Sequence, residues 1–198
     1  MTRRVDVELL ELACALSDEA VRGVRAGQLA QPTPCSDWDV LELMEHMVAS
    51  TDFFAEAAEL GAVRPDREWT SYLPGELAPA HGRQVERLVA AFKAPGVMER
   101  PMAVLAGPST PLFCLEIATS ERLVHGWDLA AATGQSLGAG AEEVASALLS
   151  SPEFLAVNAE VRQNSPAPIG PEVAIASEAG PLDHLLGFLG RDPGWQPG

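Results

Sequence analysis

The sequence predicts an all-α protein, a four-helix bundle followed by a short helical extension. Two observations carry that reading. Four segments place apolar residues at the 3.6-residue helical period, and each is bounded by glycine, proline or a capping residue. A third observation bears on domain count: no internal repeat and no low-complexity linker interrupts the 198 residues. One domain over 1–198 is therefore expected, with the bundle at about 5–134 and the extension at about 135–198.

The first helix is predicted from about Val5 to Ala26, where Leu9, Leu10, Leu12, Ala13, Leu16, Val21 and Val24 form an apolar stripe that ends at Gly27. Pro32 and Pro34 keep the following connector from being helical throughout. Ser36 is then the expected cap of a second helix, with Asp39 three residues later, running to about Leu60 and stopping at Gly61. Leu43, His46, Ala49, Phe53 and Ala57 make up its predicted internal face. Residues 62–75 read as a loop in which Trp69 and Tyr72 are candidate site-lining aromatics, with simple packing against the bundle as the alternative.

A third helix is predicted over roughly Glu76 to Ala94, stopped by Pro95-Gly96. His81 near its start reads as an exposed residue, with a fourth metal ligand as the alternative. The fourth helix has the clearest punctuation: Thr110 as cap, Pro111 at the first helical position and Gly134 as stop. Beyond it, Ala141 to Leu149, a segment opened by Ser151-Pro152-Glu153, and Pro181 to Leu189 read as short helices. Val173 to Ala176 reads as a short extended piece along the bundle.

Composition narrows the function. A formal net charge of −15 opposes nucleic acid and anionic membrane as partners. No uncharged apolar run approaches the roughly 18 residues of a membrane span, and Arg3-Arg4 leads directly to Asp6 and Glu8 rather than to a secretory apolar segment. The expected location is the cytoplasm. Cys14, Cys35 and Cys114 show no C-x-x-C spacing, which fits neither a disulfide framework nor a cysteine zinc site.

On the fourth helix, Glu121, His125 and Asp128 fall on one stripe flanked by Ile117, Ala118, Val124 and Leu129. An unpaired carboxylate is costly in such surroundings. Glu121 and His125 form either a hydrogen-bonded i,i+4 pair or two metal ligands from adjacent turns. His46 would complete a His/Glu/His set suited to Zn²⁺ or a similar divalent ion, with one position open for water or substrate. Asp128 could orient a ligand from one turn away.

Three blocks carry a resemblance: Thr33-Pro34-Cys35-Ser36-Asp37-Trp38-Asp39-Val40 leading to Leu43 and His46, then His125-Gly126-Trp127-Asp128-Leu129-Ala130, then Leu185-Leu186-Gly187-Phe188-Leu189-Gly190-Arg191-Asp192-Pro193. Together they resemble an actinobacterial metal-binding group similar to the N-terminal domain of mycothiol-dependent maleylpyruvate isomerase, within the DinB/YfiT-like superfamily. The resemblance implies a bundle that holds a divalent metal, zinc first and nickel as the alternative, through His46, Glu121 and His125. It also implies mycothiol as co-substrate and a catalytic role for Asp128, which matches an acidic residue near the isomerase substrate site. The isomerase carries a second α/β domain where only a short extension is expected here, so the metal–thiol chemistry is implied rather than that particular substrate.

The expected function is thus a metal-dependent S-transferase or isomerase acting on a small thiol and an electrophile; a homodimer is compatible with these features. The alternative is a non-catalytic bundle that binds metal or a small ligand, in a stress-related role. A further idea makes Cys35 a nucleophile stabilised near a helix N-terminus, against its reading as a small buried turn residue.

Overall fold

The computed structural model describes residues 3–36, 38–64, 70–104, 107–164 and 169–197. Trp69 lies outside them. Four long helices build the bundle: α1 (Val7–Arg22), α2 (Val40–Leu60), α3 (Leu77–Lys93) and α4 (Pro111–Thr133). α1 packs against α4 and α3, and α2 packs against α3 and α4. α5 (Ala141–Leu149), α6 (Pro152–Asn164) and α7 (Pro181–Phe188) follow, with α5 between α7 and the α1/α4 side. The fold is all-α, as the sequence predicts.

Capping chemistry sets the ends. The Thr110 hydroxyl accepts from the Phe113 N–H at 3.0 Å, and Gly134 closes α4 in the left-handed conformation at φ 71°. α2 starts later than predicted. Its cap is Asp39, whose carboxylate accepts from Glu42 N–H at 2.9 Å while Glu42 accepts from Asp39 N–H at 3.0 Å. Residues before it are tied into a turn instead: Thr33 Oγ1 donates to the Trp38 carbonyl at 2.8 Å, and Pro32 forms a β-bridge with Asp39. α1 likewise ends early, at Arg22, because Val24 and the turn at Ala26–Gln28 leave the helical path.

One element was not anticipated. β1 (Met102–Val104) and β2 (Gly107–Ser109) pair antiparallel, and Ala103 N–H donates to the Gly61 carbonyl at 2.8 Å. Strands this short leave no readable alternation. Residues 173–176 form neither helix nor strand, and Val173 N–H donates to the Gly187 carbonyl at 3.0 Å, which places the piece against α7.

The core falls into two apolar clusters. One gathers Leu9, Leu10, Phe54, Phe92, Leu115 and Leu123 with the α5–α7 residues, and the other gathers Val40, Leu43, Met47, Leu77 and Leu129. Along the middle of α4 the polar side chains Thr119, Ser120, Arg122, His125 and Asp128 are buried. Gly126 brings α1 and α4 close: a Cβ there would stand 3.1 Å from Ser17 Cα, so a larger residue would push α1 back by a few tenths of an ångström. No helix among the described residues is long and apolar enough to cross a membrane.

Candidate metal centre

α2 and α4 bring His46, Glu121 and His125 together. His46 Nε2 lies 3.3 Å from Glu121 Oε2, and His125 Nε2 lies 3.5 Å from the same oxygen. One donor atom from each residue can be chosen such that all lie within 4.8 Å of one another. Among the described residues no other group of three such side chains converges in this way. Ligands 2.0–2.2 Å from a tetrahedral ion stand about 3.3–3.6 Å apart. The two distances to Glu121 match that spacing, and the donor set fits a divalent cation once its widest separation, up to 4.8 Å, closes toward it.

His46 does not sit at the centre of the buried face of α2. That face is Leu43, Met44, Met47, Val48, Phe54, Ala55 and Ala58, and His46 lies at its edge with 30% of its side chain exposed. Glu121 is exposed to the same extent, whereas His125 is buried. The cluster is thus rooted in the core and open on one side.

Electrostatics distinguish the three groups. Burial works to raise the Glu121 carboxyl, but His125 and then His46 outweigh it and hold it well below the usual carboxylate range. Burial pulls His125 down, yet Glu121 and the Asp128 hydrogen bond reverse the sign and leave it above an ordinary histidine. For His46 burial wins, and its imidazole is held below the ordinary value against the pull of Glu121. One neutral histidine and one that shares its proton with a carboxylate are what a dication would meet, displacing that proton.

Asp128 is fully buried one turn along α4, and its Oδ2 lies 3.0 Å from His125 Nδ1. With that nitrogen turned to Asp128, His125 Nε2 is left to face Glu121. Carboxylate–histidine pairs of this kind orient metal ligands in many proteins. Arg191, beyond α7, donates to Asp128 through Nε at 3.4 Å and Nη2 at 3.2 Å, and through Nη1 to the Leu189 carbonyl at 3.0 Å. Arg122 is the other buried arginine among the described residues. Its Nη1 donates to the Met47 carbonyl at 2.8 Å and to Thr51 Oγ1, its Nη2 donates to Ser50 Oγ, and it stands 3.9 Å from Glu121. It ties α4 to α2 next to His46. Trp38 stacks on His46 with centroids 4.2 Å apart.

Sequence reasoning assigned no role to Arg191, Arg122 or Trp38. Arg191 and Trp38 stood inside the motif blocks, and Arg122 was hidden because α4 is buried almost all round. His81 differs from its expectation. It is neither exposed nor with the cluster; it is fully buried, with Nδ1 3.3 Å from Asp18 Oδ1. Cys35 is buried in the turn, five residues before α2 begins, with Arg191 Nη2 3.6 Å from its sulfur. The helix N-terminus invoked for Cys35 is therefore not at hand, and the residue sits buried in a turn.

Two clefts flank the cluster. One, of about 80 Å³, runs between α4 and the C-terminal segment, past Ser120, Glu121, His125, Asn158 and Arg191. The other, of about 390 Å³, opens over α2 and includes Trp38, His46 and Tyr72. Tyr72 lines this cleft and also packs against the second apolar cluster, so both of its expected placements hold.

An all-α bundle with a His/Glu/His cluster across two helices, backed by a carboxylate, defines the class of a candidate metal-binding helical protein. Residues 10–130 match the mycothiol maleylpyruvate isomerase N-terminal domain family, and the chain belongs to that family. It is 32% identical over 173 residues to uncharacterized proteins of Mycobacterium tuberculosis strains CDC 1551 and H37Rv, over 85% of this chain and 87% of each relative. No solved structure matches it.

Proposed function

We propose that the protein holds a divalent cation through His46, Glu121 and His125, zinc in the first instance, and uses it to activate a small thiol for S-transfer or isomerisation. The family description points to mycothiol as that thiol. A cation in this position supplies a Lewis acid that lowers the pKa of an approaching thiol from its usual value near 8.5. The chain's own residues do the rest. Asp128 fixes the tautomer of His125, Arg191 fixes Asp128, and Arg122 fixes the spacing of α2 and α4. The buried side of the cluster keeps water from the reacting atoms, while the open side at His46 and Glu121 admits the thiol.

The observation that carries the reading is the convergence of three donor atoms on the half-open edge of the core. Three protein ligands leave a position for substrate, the arrangement of catalytic rather than structural zinc. Metal analysis of protein purified without added metal, followed by thiol-dependent turnover of an electrophilic test substrate, checks it. The expected outcome is one equivalent of metal per chain and product that requires both thiol and metal. Protein that takes up no divalent ion would end the proposal. Metal without any turnover would leave a binding protein.

A further inference from the structure

The smaller cleft borders Glu121 and His125 but not His46, and its apolar walls are Ile117 and Val124 on α4 with Ile169 and Leu189 from the C-terminal segment. Asn158, Ile169, Leu189 and Arg191 all lie beyond residue 130, where the family match ends, so this half of the cleft belongs to the extension of this chain. Two polar side chains line it with an atom to spare. Ser120 is only 7% exposed, and its hydroxyl makes no hydrogen bond among the described residues. Asn158 is 6% exposed, and its Nδ2 is committed to the Phe154 carbonyl at 2.7 Å, which leaves Oδ1 as the free acceptor. Buried polar groups seldom stay unmatched. The pair suits a guest that accepts a hydrogen bond at one end and donates one at the other.

Size and charge narrow that guest. The cleft holds about 80 Å³, about half of the roughly 150 Å³ in which a benzene ring is accommodated, which leaves room for about three to five non-hydrogen atoms. Arg191 is the cation in the lining, but Asp128 takes its Nε and Nη2 and the Leu189 carbonyl takes Nη1. Glu121 adds a carboxylate to the same wall. An anion therefore gains little here, and an uncharged guest is favoured.

We propose that this cleft is the subsite for the electrophile, a short, uncharged α-hydroxycarbonyl compound. Its carbonyl oxygen accepts from Ser120 Oγ, and its hydroxyl donates to Asn158 Oδ1. The inference rests on the metal–thiol reading for the reaction, though not for the binding. A sulfur–carbon bond forms at the carbonyl carbon, and the C=O π pair moves onto the oxygen that Ser120 holds. That oxygen takes up one proton for the one the thiol gives up, so the product is a hemithioacetal and no oxidant enters.

The isoleucines make the test direct. The chain has three, Ile117, Ile169 and Ile175; the first two line the cleft, and Ile175 lies against Gly187 instead. The full chain, treated with chelator and ¹³C-labelled at the isoleucine δ1 methyls, is titrated with hydroxyacetone, with propionate of equal size, and with 2-hydroxyacetophenone. Hydroxyacetone should shift Ile117 and Ile169 and leave Ile175 in place. Propionate should bind at least about tenfold more weakly, and the aryl ketone should move neither reporter. Ser120→Ala, a change that suits a helix, should raise the hydroxyacetone Kd about three- to tenfold, the effect of one neutral hydrogen bond. No shift at Ile117 and Ile169, equal shifts at Ile175, equal binding of propionate, or an unchanged Kd in Ser120→Ala overturns the subsite and leaves the metal–thiol reading standing. With Zn²⁺ added, glycolaldehyde and 2-mercaptoethanol should form their hemithioacetal faster than without protein, and Ser120→Ala should lose about three- to tenfold of that rate. A rate equal to that without protein overturns the electrophile assignment. Hydroxyacetone shifts in a chain that takes up no divalent ion keep the binding site and overturn the reading beneath it.

Discussion

The protein contains two buried histidines that are built alike and placed differently. His125 turns Nδ1 toward Asp128 at 3.0 Å, and Asp128 also receives Arg191. His81 turns Nδ1 toward Asp18 at 3.3 Å, and Asp18 also receives Arg22 at 2.7 Å. Each is a histidine–aspartate–arginine chain inside the same bundle. What differs is the far side of the ring. His125 Nε2 faces Glu121 and, beyond it, His46, whereas His81 Nε2 is buried with no hydrogen-bond partner among the described residues. A carboxylate behind a histidine therefore does not by itself mark a candidate ligand; convergence in front of it does.

The sharpest way to break this comparison is to remove one histidine from each place. His46→Ala takes away the donor that α2 contributes and should lower divalent-metal affinity by more than about 100-fold. The far-UV circular dichroism of that variant should stay helical, because bundle stability comes from apolar packing. His81→Leu should do the reverse. Metal stoichiometry by elemental analysis stays at the wild-type value, while thermal unfolding shows a loss of about 1–3 kcal/mol from the broken hydrogen bond. Loss of metal in the His81 variant, or unfolding in the His46 variant, would reverse the roles assigned to the two sites.

A smaller effect is expected at the carboxylate. Asp128→Asn keeps the size of the side chain but not the charge that faces Arg191 and His125. Metal affinity should fall about 10–100-fold, as when an outer carboxylate is lost from a metal-bound histidine. Thiol-dependent turnover should fall further than occupancy does. Turnover that merely follows occupancy would reduce Asp128 to a support for His125, and unchanged turnover would make it a packing residue.

The comparison also shows what the sequence could reveal. Glu121, His125 and Asp128 lie on a single helix, so their common stripe follows from the helical period alone, and Thr110-Pro111 and Gly134 fix that helix at both ends. His46 required only that α2 and α4 be neighbours. Arg191 reaches Asp128 from 63 residues away along the chain, through a turn after α7 that no local pattern predicts. His81 was legible and passed over: it shares a stripe with Leu77 and Leu88, both buried, and that spacing places it inside. The start of α2 was misplaced because Ser36 and Asp39 are both good caps. Only the bridge from Pro32 to Asp39 decides between them.

The finest test of the comparison is acid–base. In metal-free protein, burial holds His81 below the ordinary histidine value of 6.5 despite Asp18, whereas Glu121 and Asp128 hold His125 above it despite burial. Long-range ¹H–¹⁵N spectra through a pH series should therefore show His81 still neutral and His125 still protonated at pH 6.5. The stability consequences have opposite signs. His81 carries fewer protons folded than unfolded, so its contribution is present above about 6.5 and is lost as pH falls toward its folded value. His125 carries more protons folded, so its contribution is full below about 6.5 and is lost as pH rises through its folded value. A divalent cation should erase only the second effect: it must displace the His125 proton, so affinity should climb with pH until that imidazole is neutral. His81 should titrate identically with and without metal. A His81 titration that moves when metal binds would couple the two sites and remove the distinction between them.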